Sequence, residues 1–113
     1  MPDCIFCKIA AKQIPSKTVY EDEYCYGFYD IDPKAPIHFL IIPKEHIGGI
    51  GDINEGNCGV VARLLMAAVS TAEKIGLDNG YRIVTNYGED GGQTVPHLHF
   101  HVLGGRALSW PPG

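Results

Sequence analysis

Val95-Pro96-His97-Leu98-His99-Phe100-His101-Val102-Leu103 is the stretch that decides the fold of this chain. From His97 onward imidazoles alternate with apolar residues, which is the period of a β-strand. Such a strand puts His97, His99 and His101 on one face and Leu98, Phe100 and Val102 on the other. The pattern predicts a last strand over Val95 to Leu103 that carries a row of three imidazoles.

Upstream of it, Gly88 to Gly92 is too glycine-rich to continue a strand, Tyr81 to Asn86 reads as one, and Asp78-Asn79-Gly80 is a turn. Further back, Asn54 offers an N-cap. Val61, Leu64, Leu65, Ala68, Ala72 and Ile75 then recur at helical spacing until Gly76 supplies a stop. Thr18 to Glu21, Tyr24 to Tyr29 and Ile37 to Ile42 are short runs of aromatic and branched residues, with turn residues between Asp30 and Pro36. Strands, then a helix, then strands without βαβ alternation predict an α+β fold. Its sheet is a mainly antiparallel five-stranded meander, covered by one long helix. The tail over residues 104–113 closes on Trp110-Pro111-Pro112-Gly113 and is irregular.

A chain of 113 residues, 45% hydrophobic and 19% charged, supports one domain over residues 1–113 with a real core. A formal charge of −4 excludes broad electrostatic binding of nucleic acid or an anionic membrane, so any phosphate must be bound locally. No basic stretch followed by an apolar run opens the chain, and no apolar segment reaches the roughly 18 residues that span a bilayer. The expected location is cytoplasmic. Cys4, Cys7, Cys25 and Cys58 are then expected to be thiols or metal ligands rather than disulfides, and only Cys4 and Cys7 have a suggestive spacing.

The imidazole row follows Gly91-Gly92-Gln93-Thr94, whose backbone N–H groups and small side chains let a phosphate approach the rings. A neutral imidazole can attack phosphorus to form a covalent nucleotidyl intermediate, and its neighbours can move protons or stabilise oxyanion charge. His-x-His pairs on strands are also frequent metal ligands, and a single histidine in an apolar strand is usually structural. Three at alternate positions after a glycine loop favour phosphate chemistry.

At His97-Leu98-His99-Phe100-His101-Val102-Leu103 the chain resembles the histidine triad superfamily. The likeness extends through Ile5-Phe6, Ile14-Pro15, Glu21-Asp22, Phe28-Tyr29-Asp30-Ile31, Ala35-Pro36, His38-Phe39-Leu40, Ile42-Pro43-Lys44 and Gly91-Gly92-Gln93-Thr94. The ending Leu103-Gly104-Gly105-Arg106 with Trp110-Pro111-Pro112-Gly113 resembles the Hint branch.

That resemblance implies a purine nucleoside phosphoramidase with no cofactor required for catalysis, splitting adenosine or guanosine 5′-monophosphoramidates into nucleoside monophosphate and amine. By the same likeness His99 is the nucleophile, oriented by the carbonyl of His97, while His101 with His38 handles the leaving-group proton and the phosphate oxygens. Asn86, Gln93 and Thr94 meet the phosphate, Asp30 accepts the ribose hydroxyls, and Phe28, Ile31 and Leu40 wall the base pocket. The likeness also implies a homodimer that extends the sheet across a two-fold axis, with Trp110 acting on the neighbouring subunit. Ser109 before Trp110, Tyr29 after Phe28, and Thr94 depart from the close Hint pattern.

Cys4-Ile5-Phe6-Cys7 has the spacing that lets two thiolates hold one zinc, and a structural site usually needs four ligands. Members of the superfamily that carry such a pair imply His46 and His97 as the other two, making the zinc structural. A reduced, metal-free thiol pair is the alternative; Cys25 and Cys58 read as small, partly buried apolar residues. Three other functions stand beside the phosphoramidase: a dinucleoside polyphosphate hydrolase using the same His99 attack, a non-catalytic nucleotide-binding regulatory protein, and a pure metal-binding module.

Overall fold

The computed structural model describes residues 3–113. In chain order the elements are α1 (Ile5–Ala10), β1 (Thr18–Glu21), β2 (Cys25–Tyr29) and β3 (Ile37–Pro43). A 3-10 turn at Ile50–Asp52, α2 (Gly59–Ile75), β4 (Tyr81–Val84) and β5 (Phe100–Gly104) follow. All strand pairs are antiparallel, in the order β1-β2-β3-β5-β4. The first three strands form a meander. After α2, β5 returns beside β3 and leaves β4 at the edge, so the histidine strand lies inside the sheet.

The two-residue period of the strands then sorts side chains into two unlike layers. Phe39 and Ile41 of β3, Phe100 and Val102 of β5 and Cys25 of β2 join Leu64, Ala67, Ala68 and Ala72 of α2 in one core. The small residues of α2 let its backbone approach the sheet, and Thr71 satisfies its buried hydroxyl by donating to the carbonyl of Ala67 at 2.7 Å. Truncating fully buried Leu64 to alanine is expected to cost about 2–5 kcal/mol, the usual range for such a cavity. On the opposite face, Tyr26, Phe28, Leu40 and Ile42 pack with Cys4, Phe6 and Ile9 at α1. His38, His99 and His101 share that second face. Because α1 has only six residues, it roofs one end of the face and leaves the other end accessible.

Two local expectations shift, and the helix stop at Gly76 holds. Asn54 does not cap α2. Its side chain accepts from the N–H groups of Gly56 and Asn57, closing a separate turn, and Cys58 is the N-cap residue. Gly76 ends α2 with φ 96°, as its lack of a side chain allows. The last strand begins at Phe100 rather than Val95, because the N–H of Leu98 donates to the carbonyl of Ile47 at 2.6 Å and that of His97 to Val95 at 2.8 Å. Those bonds take the backbone of His97 to His99 out of the ladder. Among the described residues all four cysteines are free thiols, and no helix is long and apolar enough to cross a membrane.

Candidate active site

The three triad histidines meet three different surroundings. His97 is fully buried, its Nε2–H donating to the carbonyl of Pro43 at 2.9 Å, so that Nδ1 faces the sulfurs of Cys4 and Cys7 at 3.3 and 3.5 Å. His99 is nearly buried, with the ring of Phe6 edge-on at 5.0 Å. Its Nδ1 lies 2.6 Å from the carbonyl of His97. A carbonyl can only accept, so Nδ1 carries the hydrogen and Nε2 keeps the lone pair. His101 is half-buried and packs against His99 and His38, with ring centres 5.0 and 5.1 Å away.

Strand register brings His38 into this group from 63 residues away. His38 opposes Leu103 and Leu40 opposes His101, which makes His38 and His101 diagonal neighbours on one face. Their rings meet at 2.9 Å between His38 Nε2 and His101 Nδ1. Asp30, just past β2, places Oδ2 at 3.5 Å from His38 Nε2, and its other oxygen accepts from the N–H of Asp32 at 2.8 Å.

Burial disfavours the charged form of every ring here. It pushes His97 down to about 4 against a weaker opposing pull from the Pro43 carbonyl, and His101 down to about 4 with help from His99 and His38. His99 and His38 shift the same way for the same reason, held back by the His97 carbonyl and by Asp30 respectively. A neutral His99 with a free Nε2 is in the state required of a nucleophile near neutral pH. Among the described residues no protein group bonds Nε2 of His99 or of His101, and no buried side-chain nitrogen or oxygen lacks a partner, so both atoms keep access to solvent.

At the roofed end, Cys4, Cys7, His46 and His97 bring their donor atoms within 4.8 Å of one another. The recorded sulfur to nitrogen separations are 3.2 Å for Cys7 to His46, 3.3 Å for Cys4 to His97 and 3.5 Å for Cys7 to His97. A tetrahedral zinc with bonds of about 2.3 Å to sulfur and 2.0–2.1 Å to nitrogen has sulfur to nitrogen edges of about 3.5 Å. The donor set therefore fits zinc with little movement. The Pro43 carbonyl, by taking Nε2–H, leaves Nδ1 of His97 as the ligating nitrogen.

The remaining sequence candidates divide between wall, loop and tail. Phe28 and Leu40 are buried on the histidine face, while Ile31 is 100% exposed. The amide of Gln93 is committed to backbone, donating to Gly48 at 2.7 Å and Val95 at 3.0 Å and accepting from Gly88 at 3.1 Å. It braces the loop that carries half-buried Asn86 and exposed Thr94. Trp110 is 80% exposed on a tail tied down where Arg82 donates to the carbonyl of Ser109 at 3.0 Å.

Some contributors have no signal in the sequence. The carbonyls of Pro43 and His97 and the N–H of Lys34, which donates to His38 Nδ1 at 3.1 Å, are backbone groups with no residue-type preference. Phe6 touches His97 and His99 because α1 folds over them; a hydrophobe between two cysteines was the available hint. Thr85 Oγ1 donates to the carbonyl of His99 at 2.9 Å where β4 ends.

The chain has known relatives. The HIT domain model matches residues 11–108. An uncharacterised HIT-like protein of Synechococcus elongatus is 47% identical over 98% of this chain and 97% of its own length. A HIT family hydrolase from Legionella pneumophila superposes with a TM-score of 0.95 at 48% identity, covering 98% of this chain and 100% of that one. Another from Clostridium thermocellum superposes with a TM-score of 0.94 at 46% identity, covering 96% of each. The domain match over residues 11–108 and a sequence and fold shared along almost the whole chain with these proteins make this chain a member of the HIT family.

Proposed function

We propose that this chain hydrolyses purine nucleoside 5′-monophosphoramidates to nucleoside monophosphate and amine through a covalent intermediate on His99. The observation that carries the reading is the 2.6 Å bond from His99 Nδ1–H to the His97 carbonyl, which leaves the Nε2 lone pair on the accessible side of the ring. Nε2 attacks phosphorus as the P–N bond breaks, and the departing amine takes a proton from water on the open side, leaving hydroxide. That hydroxide then attacks phosphorus, the P–Nε2 bond breaks, and His99 returns to its neutral state. The hydrolases of Legionella pneumophila and Clostridium thermocellum, similar along nearly their whole lengths, support hydrolysis as the reaction class.

The substrate lies on the end of the sheet face that α1 leaves open. Asp30 takes the ribose hydroxyls, Phe28, Leu40 and Ile31 hold the purine, and the loop from Asn86 to Thr94 meets the phosphate. Gln93 acts there by bracing the loop.

Zinc held by Cys4, Cys7, His46 and His97 has a structural role, clamping α1 to the segment before β5. The working form is a homodimer. Its support is the outward side of α2, where Leu65, Met66 and Val69 are 41%, 74% and 49% exposed, together with the edge position of β4, open to pairing with its symmetry mate. Trp110 then reaches the partner's substrate.

The deciding experiment is turnover of an AMP–amine conjugate by wild type and His99→Ala, beside a dinucleoside polyphosphate. P–N cleavage that vanishes in the variant supports the proposal, and preference for the polyphosphate replaces it with a dinucleoside polyphosphate hydrolase. Bound nucleotide without turnover of either substrate leaves a binding protein.

A further inference from the structure

The N–H of Lys34 donates to His38 Nδ1 at 3.1 Å. A nitrogen that accepts a hydrogen bond carries no hydrogen, so His38 is neutral with its one hydrogen on Nε2. The nearest acceptor for that hydrogen is Nδ1 of His101 at 2.9 Å, nearer than the Asp30 carboxylate at 3.5 Å. Nδ1 of His101 is therefore an acceptor too, and the hydrogen of His101 sits on Nε2, the atom with solvent access.

We infer that the backbone N–H of Lys34 is a positioning group that sets both tautomers, making His101 a neutral hydrogen-bond donor to the phosphate oxygens through Nε2–H rather than an acid that gives up a proton. Protonating His101 on Nδ1 would bring two N–H groups face to face across the 2.9 Å contact, and His38 cannot turn its lone pair toward it while Lys34 occupies Nδ1. The titratable and charged groups facing the pair are Asp30, Asp32 and Lys34 from the loop after β2 and His99 from the segment before β5. The loop that supplies the N–H is braced. Arg106 donates to the carbonyl of Lys34 at 3.1 Å, and Lys34 Nζ pairs with Asp32 at 2.5 Å. Gly105, at φ +88°, packs so closely on Pro36 that a Cβ would lie 3.0 Å from it. In this scheme no proton leaves His101, and the departing amine takes its proton from water on the open side.

The inference rests on His99 as nucleophile, yet its main test needs no substrate, so the two can fail separately. Two-bond proton–nitrogen spectra of the intact chain with ¹⁵N-labelled histidine report which ring nitrogen carries hydrogen. Both His38 and His101 are expected as neutral Nε2–H tautomers at pH 7, and adding AMP moves the His101 Nε2–H resonance while the ring stays neutral. Lys34→Pro, which removes the N–H, is expected to mix the His38 tautomers and to lower kcat on an AMP–amine conjugate about tenfold or more, with KM less affected. Lys34→Ala, which keeps the N–H and loses the side chain, retains the wild-type tautomers. A wild-type His38 with hydrogen on Nδ1, or a doubly protonated His101 in the AMP complex, overturns the inference even where Lys34→Pro does not fold. So does a folded Lys34→Pro with unchanged spectra and kcat.

Discussion

His97 and His101 occupy the same face of one nine-residue stretch, four residues apart, and their side chains end in opposite circumstances. Both nitrogens of His97 face protein groups, one on the Pro43 carbonyl and the other between two sulfurs, with no exposed surface. His101 spends one nitrogen on His38 and keeps the other accessible. Identity is constant, so the difference comes from what the fold lays beside each ring: α1 with its cysteines at one end, and the loop after β2 at the other. His99, between them, takes its orientation from the backbone of the first and its neighbourhood from the second.

The sharpest way to break this contrast is to remove each histidine in turn. His99→Ala is expected to lower turnover of an AMP–amine conjugate on the order of 10⁴-fold or more, as loss of a covalent nucleophile does, with a melting temperature near wild type. His97→Ala should show the reverse, a clear loss of stability with turnover retained per folded molecule. A stable His97→Ala as inactive as His99→Ala would abolish the distinction between the two ends.

A second effect belongs to the roofed end alone. If zinc occupies the Cys4, Cys7, His46 and His97 set, free zinc at about a hundred times its Kd stabilises the fold by about 2.7 kcal/mol, near 10 °C in Tm for a chain of this size. Thermal shift of chelated protein against added zinc measures it, with Cys7→Ser as the control. A Tm indifferent to zinc returns the site to a thiol pair.

Acidification probes the open end. His101 is held down to about 4 in the fold against 6.5 outside it, so the unfolded chain binds the extra proton first. The stability that comes from keeping this ring neutral is present above about pH 6.5 and is lost as the pH falls toward about 4. Denaturant unfolding between pH 7.5 and 4.5 should therefore decline less steeply in His101→Gln than in wild type, and equal slopes would contradict the burial argument.

The smallest expected effect lies farthest from either end. Met66→Glu on the outward side of α2 should convert a dimer to a monomer in sedimentation equilibrium while altering turnover by only about threefold, through the displaced Trp110. A wild type that sediments as a monomer would remove that surface from the account.

Much of the sheet was legible because its periodicity is physical. Thr18 to Glu21 appears as a strand with the expected bounds, and the α2 stripe ends at Gly76 as its backbone freedom predicts. Three things were not legible. The 3.6-residue pattern does not emerge from six residues, so α1 passed as a cysteine motif. Strand order depends on how the chain crosses after α2, and β5 between β3 and β4 is a long-range choice. The alternation of imidazoles identified a shared face but could not tell that the ladder starts only at Phe100, because a distant carbonyl, that of Ile47, captures the N–H of Leu98.

The sequence by itself determined which residues share a face, that the fold is of the α+β class, and that a row of imidazoles follows a glycine loop, since these rest on composition and on neighbours within a few residues. Only the tertiary structure decided what each imidazole does. A ring nitrogen becomes donor, acceptor or ligand according to the group placed within about 3 Å of it, and here those groups, the carbonyls of Pro43 and His97, the N–H of Lys34 and the thiols of α1, arrive from other parts of the chain or from the backbone, where side-chain identity leaves no mark.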